Sequence, residues 1–124
     1  MQVGDTFLNR NTSSPLHLWF VCTHPNASDD VVILNLTDSD NLSDGTCLLS
    51  KGDHPFITRD SGIAYGRGQI VKAARLAEMK NSGTITPRQQ ADAALIDRIR
   101  QGALQSPDAS TKLQAAINAC PWKP

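Results

Sequence analysis

The hydrophobic pattern in the first half of the chain predicts short strands separated by polar turns. Residues 16–23 (LHLWFVCT) and 31–36 (VVILNL) are rich in aromatic and β-branched side chains, which favour strands. The alternation in 16–23 is imperfect, so we expect this strand to be buried on both faces for part of its length. Shorter strands are predicted at 4–8 and 46–49, and the polar composition of 9–15 predicts a loop.

Polar side chains crowd in residues 52–67 (GDHPFITRDSGIAYGR). Two turn signals, the second at 60–62, alternate with two strand-like runs, one at 56–58 and one beginning at Ile63. The His54-Pro55 step favours extended backbone. The stretch is therefore either a solvated hairpin or the polar wall of a site.

The period changes to a helical one after residue 69. Residues 69–80 place apolar side chains at helical spacing, although this segment also fits a continuation of the strand through Tyr65. Thr86 followed by Pro87, with Gln89 three residues after the cap, predicts a helix over 87–104. Its inner face is Ala91, Leu95 and Ile99. Ser106-Pro107-Asp108 predicts a last helix ending near residue 119.

Strands followed by helices indicate an α+β protein. A chain of 124 residues is expected to form one domain over 1–124. We predict a small β-barrel of five to six strands over 3–70, with the helical part, 71–124, packed on it.

Charge distribution and the lengths of the apolar runs exclude some classes of protein function. Net charge is zero, but residues 1–62 carry eight aspartates against three basic residues, whereas 63–124 carry nine basic residues against four acidic ones. An acidic front half does not favour a broad nucleic-acid platform, so any RNA contact would use a local site. No run approaches the roughly 20 apolar residues of a membrane span, and no basic and apolar leader opens the sequence. A cytoplasmic location without membrane contact is expected.

The three cysteines, Cys22, Cys47 and Cys120, are widely spaced and form no CxxC pair. We interpret them as reduced thiols, with Cys22 and Cys47 in core strands. The histidines, aspartates and cysteines show no metal-ligand spacing, and no metal or other cofactor is predicted. A Gly66-Arg67-Gly68 step without the Walker lysine is not a phosphate loop.

A series of short motifs, in this order, resembles the MazF/PemK toxins of toxin–antitoxin pairs. The motifs are Gly4-Asp5 before the first strand, LWFVCTHP, VVILNLTDSD, HPF, GIAYGRGQIV, and GTITP before the long helix. They cover about residues 3–104, and each is short and degenerate. The resemblance rests on their shared order.

This resemblance implies an SH3-like barrel, usually dimeric, that cleaves single-stranded RNA without a metal. In that chemistry a ribose 2′-hydroxyl attacks the neighbouring phosphate, which requires a base, an acid and donors for the developing charge. It also implies a cognate antitoxin, whose extended acidic peptide occupies the same groove, and a homodimer.

The resemblance assigns the catalytic roles to His17, Thr37 and Arg67. His17 stands near the family's arginine before the second strand, Thr37 matches the threonine closing the third, and Arg67 lies on the Gly-Ile-Ala strand, where the usual aspartate is absent. Their expected roles are proton transfer, substrate positioning and phosphate stabilisation. The additional substrate-binding residues are predicted to be His54, Arg59 and Tyr65.

Each of these residues also has a structural interpretation. His17 fits a half-buried strand histidine, Thr37 a strand-end turn residue, Arg67 a solvated loop arginine, and Asp53-His54 a turn. Because the family arginine and aspartate are missing, a second hypothesis is a non-catalytic module of the same fold that binds protein or nucleic acid. A third is a small ligand- or peptide-binding barrel unrelated to the toxins.

Overall fold

The computed structural model describes residues 1–10 and 17–122, and this part of the chain forms an α+β structure of seven strands and three α-helices. The loop predicted at 9–15 and the first residue of the strand predicted at 16–23 lie largely outside the described residues. The strands are β1 Thr6–Asn9, β2 Leu18–Val21, β3 Asp30–Asp38, β4 Leu48–Leu49, β5 Ser61–Ile63, β6 Gln69–Lys72 and β7 Ile85–Arg88. The helices are α1 Ala73–Asn81, α2 Ala93–Gln105 and α3 Thr111–Asn118.

All strand pairs are antiparallel, and the long β3 organises the sheet. One edge of β3 pairs with β2, while its other edge pairs first with β6 and then with β5. Across the sheet the strands lie in the order β4-β5-β3-β2-β1-β7, and β6 pairs with β3 outside this order. No pairing within the described residues joins β4 to β7, so the sheet is open, and the predicted closed barrel over 3–70 is not confirmed. The sheet also extends past residue 70, because β7 pairs with β1.

The sheet is covered on both faces, which explains the imperfect alternation in β2. Its even-numbered residues Leu18 and Phe20 face a large core shared with α2 and α3. Its odd-numbered residues Trp19 and Val21 face a smaller core closed by α1. All four residues of β2 are buried, as the sequence predicted.

The predicted helix over 87–104 begins later than expected. Pro87 lies in β7 opposite Phe7, and the helix starts at Ala93 after Asp92, whose Oδ1 accepts the Leu95 amide at 2.8 Å. A proline is tolerated there because, among the described strands, β7 pairs only with β1 and lies at the edge of the sheet. The predicted inner face is confirmed: Ala91, Leu95 and Ile99 are buried, although Ala91 precedes the helix.

Three other segments differ from the sequence predictions. Residues 69–80 divide between β6 and α1, so the helical interpretation holds for the second part of the segment, whereas the first part is a strand that a turn separates from β5. Ser106 follows the end of α2 and does not begin the last helix, which starts after Ser110. No strand forms at 56–58; this segment is a loop anchored in the large core by Ile57.

Residues 65–67 form a short 3-10 helix and not the continuation of a strand. This turn carries the chain from β5 to β6 along the same edge of β3. Gly68 ends it where a Cβ atom would lie 2.4 Å from the Leu113 side chain and 2.6 Å from that of Leu34. A side chain at 68 would therefore require Leu113 and Leu34 to shift, because the turn packs closely against α3 and β3.

Candidate functional site

A groove of about 570 Å³ lies where the start of β2 and the end of β3 meet the 55–59 loop and the end of β7. Two hydrophobic side chains, Leu18 and Leu36, form part of its lining, together with Phe56 of the loop. Its polar lining includes His17, Thr37, Asp38, Arg59, Arg88 and Gln89. Three of the six residues predicted from the sequence thus share one groove: His17, Thr37 and Arg59.

His17 is held in a defined orientation beside the first residue of β2. Its Nδ1 lies 2.9 Å from the carbonyl oxygen of Leu36, and because a carbonyl only accepts, Nδ1 carries the hydrogen and donates. In the neutral ring Nε2 is then the nitrogen with the lone pair, and no hydrogen bond to it is recorded among the described residues. A backbone-anchored imidazole of this kind is suited to accept a proton.

Thr37 lies near His17 because of the strand register. Trp19 pairs with Asn35, and extending this antiparallel register by two residues places His17 opposite Thr37. Thr37 is only 8% exposed and lines both the groove and a smaller depression of about 180 Å³ beside it.

Arg67 does not line the groove. It is exposed on the 3-10 turn and lines the smaller depression, which it shares with Thr37. The predicted catalytic group is therefore divided, with His17 and Thr37 on the groove and Arg67 beyond Thr37.

The groove carries a small excess of positive charge. Its formally charged lining residues are Arg59, Arg88 and Asp38. Arg59 pairs with Asp38 at 3.0 Å, with 73% of the arginine side chain exposed. Arg88 is exposed and forms no ion pair with any described residue. Arg88 is thus the groove cation with a free charge for a ligand.

His54 is 2% exposed and lies behind the groove walls. Its Nδ1 accepts the Phe56 amide at 3.0 Å, and its Nε2 donates to the carbonyl of Gln89 at 2.7 Å. The ring also packs edge-on against Phe20. Both ring nitrogens bind groups inside the protein. His54 therefore affects the groove by holding Phe56 and Gln89, which line it.

Tyr65 is also buried, and its hydroxyl donates to the carbonyl of Ile99 at 2.7 Å. Burial raises the pKa of the Tyr65 phenol above its usual range. The aromatic ring therefore connects the 3-10 turn to α2, and its hydroxyl is used for that contact.

Sequence reasoning missed Arg88 and Gln89. The helix predicted over 87–104 includes both residues, and in a helix they are not expected to line a groove at the strand ends. The alternation Thr84-Ile85-Thr86 is a strand signal that was available and competed with the capping pattern. The pairing of β7 with β1 places Arg88 opposite Thr6, and Arg88 and Gln89 both line the groove that His17 also lines.

Within residues 1–10 and 17–122, no group of three or more His, Cys, Asp or Glu side chains is arranged to hold a metal ion. None of the helices described there is long and apolar enough to cross a membrane. Comparisons of the chain with protein-family models, curated proteins and solved structures found no match. The similarity to the MazF/PemK toxins therefore stays a prediction from the sequence.

Proposed function

We propose that the groove binds single-stranded RNA and cleaves it without a metal, as a MazF/PemK-like toxin on an SH3-like sheet would. The observation that supports this most is His17, anchored through Nδ1 in a groove that also holds Thr37 and two arginines. Such an arrangement combines a proton acceptor, a hydroxyl and phosphate-binding cations.

In the proposed reaction Nε2 of His17 removes the proton of a ribose 2′-hydroxyl. The 2′-oxygen then attacks the adjacent phosphorus, the bond to the 5′-oxygen breaks, and the protonated His17 or water supplies a proton to the leaving oxygen. The products are a 2′,3′-cyclic phosphate and a 5′-hydroxyl. Arg59 and Arg88 would stabilise the charge that develops on the phosphate, and Thr37 would position it.

The same groove is the proposed binding site for an acidic antitoxin peptide. Arg88 has no ion-pair partner among the described residues, so a carboxylate of the peptide could bind where a phosphate would bind. A homodimer and a cytoplasmic location belong to this proposal.

The test is cleavage of an end-labelled single-stranded RNA in the presence of chelator, with analysis of the product ends. His17→Ala should lower the rate by at least about 10²-fold, the usual contribution of a general base. His24→Ala is the matched control, because His24 is an exposed histidine outside the groove. Equal loss of rate in both variants, or loss of cleavage by the parent with chelator, would argue against the mechanism.

Arginine variants test whether the reacting phosphate binds in the groove or in the neighbouring depression. The resemblance predicts that Arg67→Ala loses at least about 10²-fold in rate, as expected for a transition-state donor. The geometry instead favours Arg59→Ala and Arg88→Ala as the more damaging changes, since these residues line the groove with His17. Comparing the three variants decides which arginine contacts the reacting phosphate.

A non-catalytic binding module is the second candidate, and one contact favours it. Asp38, the carboxylate among the groove-lining residues, is paired with Arg59, which leaves this arginine less available to a reacting phosphate. Tight binding of RNA or of an acidic peptide, with intact RNA and normal growth after induced expression, would support this alternative.

A further inference from the structure

Two segments that line the groove meet at one buried side chain, His54. We call residues 55–59 the loop wall and Arg88 with Gln89 the β7 wall; both contribute to the groove lining. His54 accepts the Phe56 amide of the loop wall at 3.0 Å and donates to the Gln89 carbonyl of the β7 wall at 2.7 Å. One imidazole therefore fixes each wall through a different nitrogen.

The β7 wall is held from a second direction. The hydroxyl of Thr6 also donates to the Gln89 carbonyl, again at 2.7 Å. Two donors on one carbonyl fix the backbone from which the exposed side chains of Arg88 and Gln89 extend. Within the described part of the chain, the backbone of Phe56, whose ring is half-buried, is held by one hydrogen bond, from its amide to Nδ1 of His54.

We propose that His54 is a positioning residue that holds both walls in the conformation that binds a single-stranded nucleic acid; this rests on the proposed function of the groove. In this conformation Phe56 offers a face on which a base stacks, Arg88 contacts a phosphate, and the Gln89 amide reaches a base edge. A wall released from His54 spends a smaller fraction of its time in this conformation. The apparent dissociation constant for the nucleic acid rises in inverse proportion to that fraction.

Two conservative variants separate the two contacts. In His54→Asn the amide oxygen replaces Nδ1 as acceptor for the Phe56 amide, but the side chain is too short to reach Gln89. In His54→Gln the longer side chain can donate to the Gln89 carbonyl, but it no longer holds Phe56. Thr6→Val is the matched control for the β7 wall, because it removes the other donor to Gln89 and leaves the loop wall unchanged.

The binding probe is a fluorescein-labelled single-stranded DNA of about twelve nucleotides, which spans such a groove and lacks the 2′-hydroxyl needed for cleavage. We expect each His54 variant to weaken binding about fivefold, the size of one hydrogen bond, and Thr6→Val to weaken it by a similar factor. On RNA, KM should rise by the same factor and kcat should fall as well, because Arg59 and Arg88, which stabilise the charge of the transition state, extend from these walls. Thermal melting of each variant establishes that it is folded at the assay temperature.

The outcomes distinguish this proposal from the proposed function. Weakened DNA binding by the folded His54 variants, without RNA cleavage by the parent, would support the positioning role and reject the nuclease. Cleavage by the parent with unchanged KM and DNA affinity in both His54 variants would reject the positioning role and leave the nuclease in place. A parent that binds neither nucleic acid rejects both. If one variant does not fold, the other and Thr6→Val decide in the same way.

Discussion

Charged side chains are used in opposite ways in the groove and next to α2. We call the surroundings of the buried residues Arg100 and Asp44 the α2 side of the molecule. Arg100 of α2 is 7% exposed, and its guanidinium donates to the carbonyls of Cys22 at 2.6 Å, Cys120 at 2.6 Å and Ile117 at 3.3 Å. It also lies 5.7 Å from the ring centre of Trp122. In the groove, Arg88 is exposed and has no ion pair with any described residue.

The α2 side also holds a buried carboxylate. Asp44 is 7% exposed and accepts hydrogen bonds from the amide and hydroxyl of Thr46 and from the hydroxyl of Ser106, which follows α2. The carboxylate lining the groove, Asp38, is half-buried and pairs with Arg59. A buried charge remains in place only when polar partners replace its water. The charges on the α2 side therefore stabilise the fold, whereas that of Arg88 in the groove stays available to a ligand.

The largest expected effect is on stability when Arg100 is removed. Arg100→Ala removes the guanidinium donor from the carbonyls of Cys22, Cys120 and Ile117, of which Ile117 keeps the Cys120 amide, and should lower the free energy of unfolding by about 3 kcal/mol. Arg88→Ala, the matched change in the groove, should alter it by less than about 0.5 kcal/mol. Urea unfolding measures both, and equal effects would remove the distinction between the two regions.

The rate of thiol labelling provides a second measure of how differently Arg100 and Arg88 affect stability. Cys22 is fully buried, and burial raises the pKa of its thiol to about 12, whereas Cys120 is half-buried. Cys120 should therefore react quickly with a thiol reagent in the native state, while Cys22 and the buried Cys47 should react slowly. Arg100→Ala should accelerate labelling of Cys22 by about 10²-fold, in line with its lower stability, and Arg88→Ala should not. Rapid labelling of Cys22 in the unmodified protein would contradict its place in the core.

Acid should weaken the α2 side through Asp44. Desolvation raises the pKa of this carboxyl, but the hydrogen bonds from Ser106 and Thr46 outweigh it and lower the pKa below its ordinary 3.8. Because the folded-state pKa is the lower one, the stabilisation is complete above the ordinary value and is lost as the pH falls through the folded-state pKa.

Asp44→Asn should cost about 1–2 kcal/mol at neutral pH, since it weakens hydrogen bonds to a charged acceptor. It should also reduce the loss of stability below about pH 4. Unfolding curves at several pH values test both points. An unchanged acid response in Asp44→Asn would assign that response to other carboxylates.

The smallest effect is expected for the ion pair in the groove. Asp38→Asn should change the unfolding free energy by less than about 0.5 kcal/mol, because the Arg59 partner is mostly exposed. It should nevertheless tighten binding of single-stranded DNA and steepen its dependence on salt, because Arg59 is released to contact phosphate. Weaker DNA binding in this variant would mean that Asp38 itself contacts the ligand.

The sequence by itself determined the features that depend on local pattern. The strands around 18–21 and 30–38, the burial of β2 on both faces and the buried stripe of α2 all follow from the spacing of apolar residues. The α+β class follows from their order along the chain. The register of β2 with β3 then brings the predicted residues His17 and Thr37 together.

Only the tertiary structure decided the features for which local chemistry suits two conformations. Thr86-Pro87 fits a helix start and an edge strand equally well, and the strand is chosen because β1 has a free edge to pair with. That choice brings Arg88 into the groove and the Gln89 carbonyl within reach of His54. Contacts between residues far apart in sequence leave no periodic signal, so the burial of His54, the separation of Arg67 from His17 and the open sheet emerged only when the chain was folded.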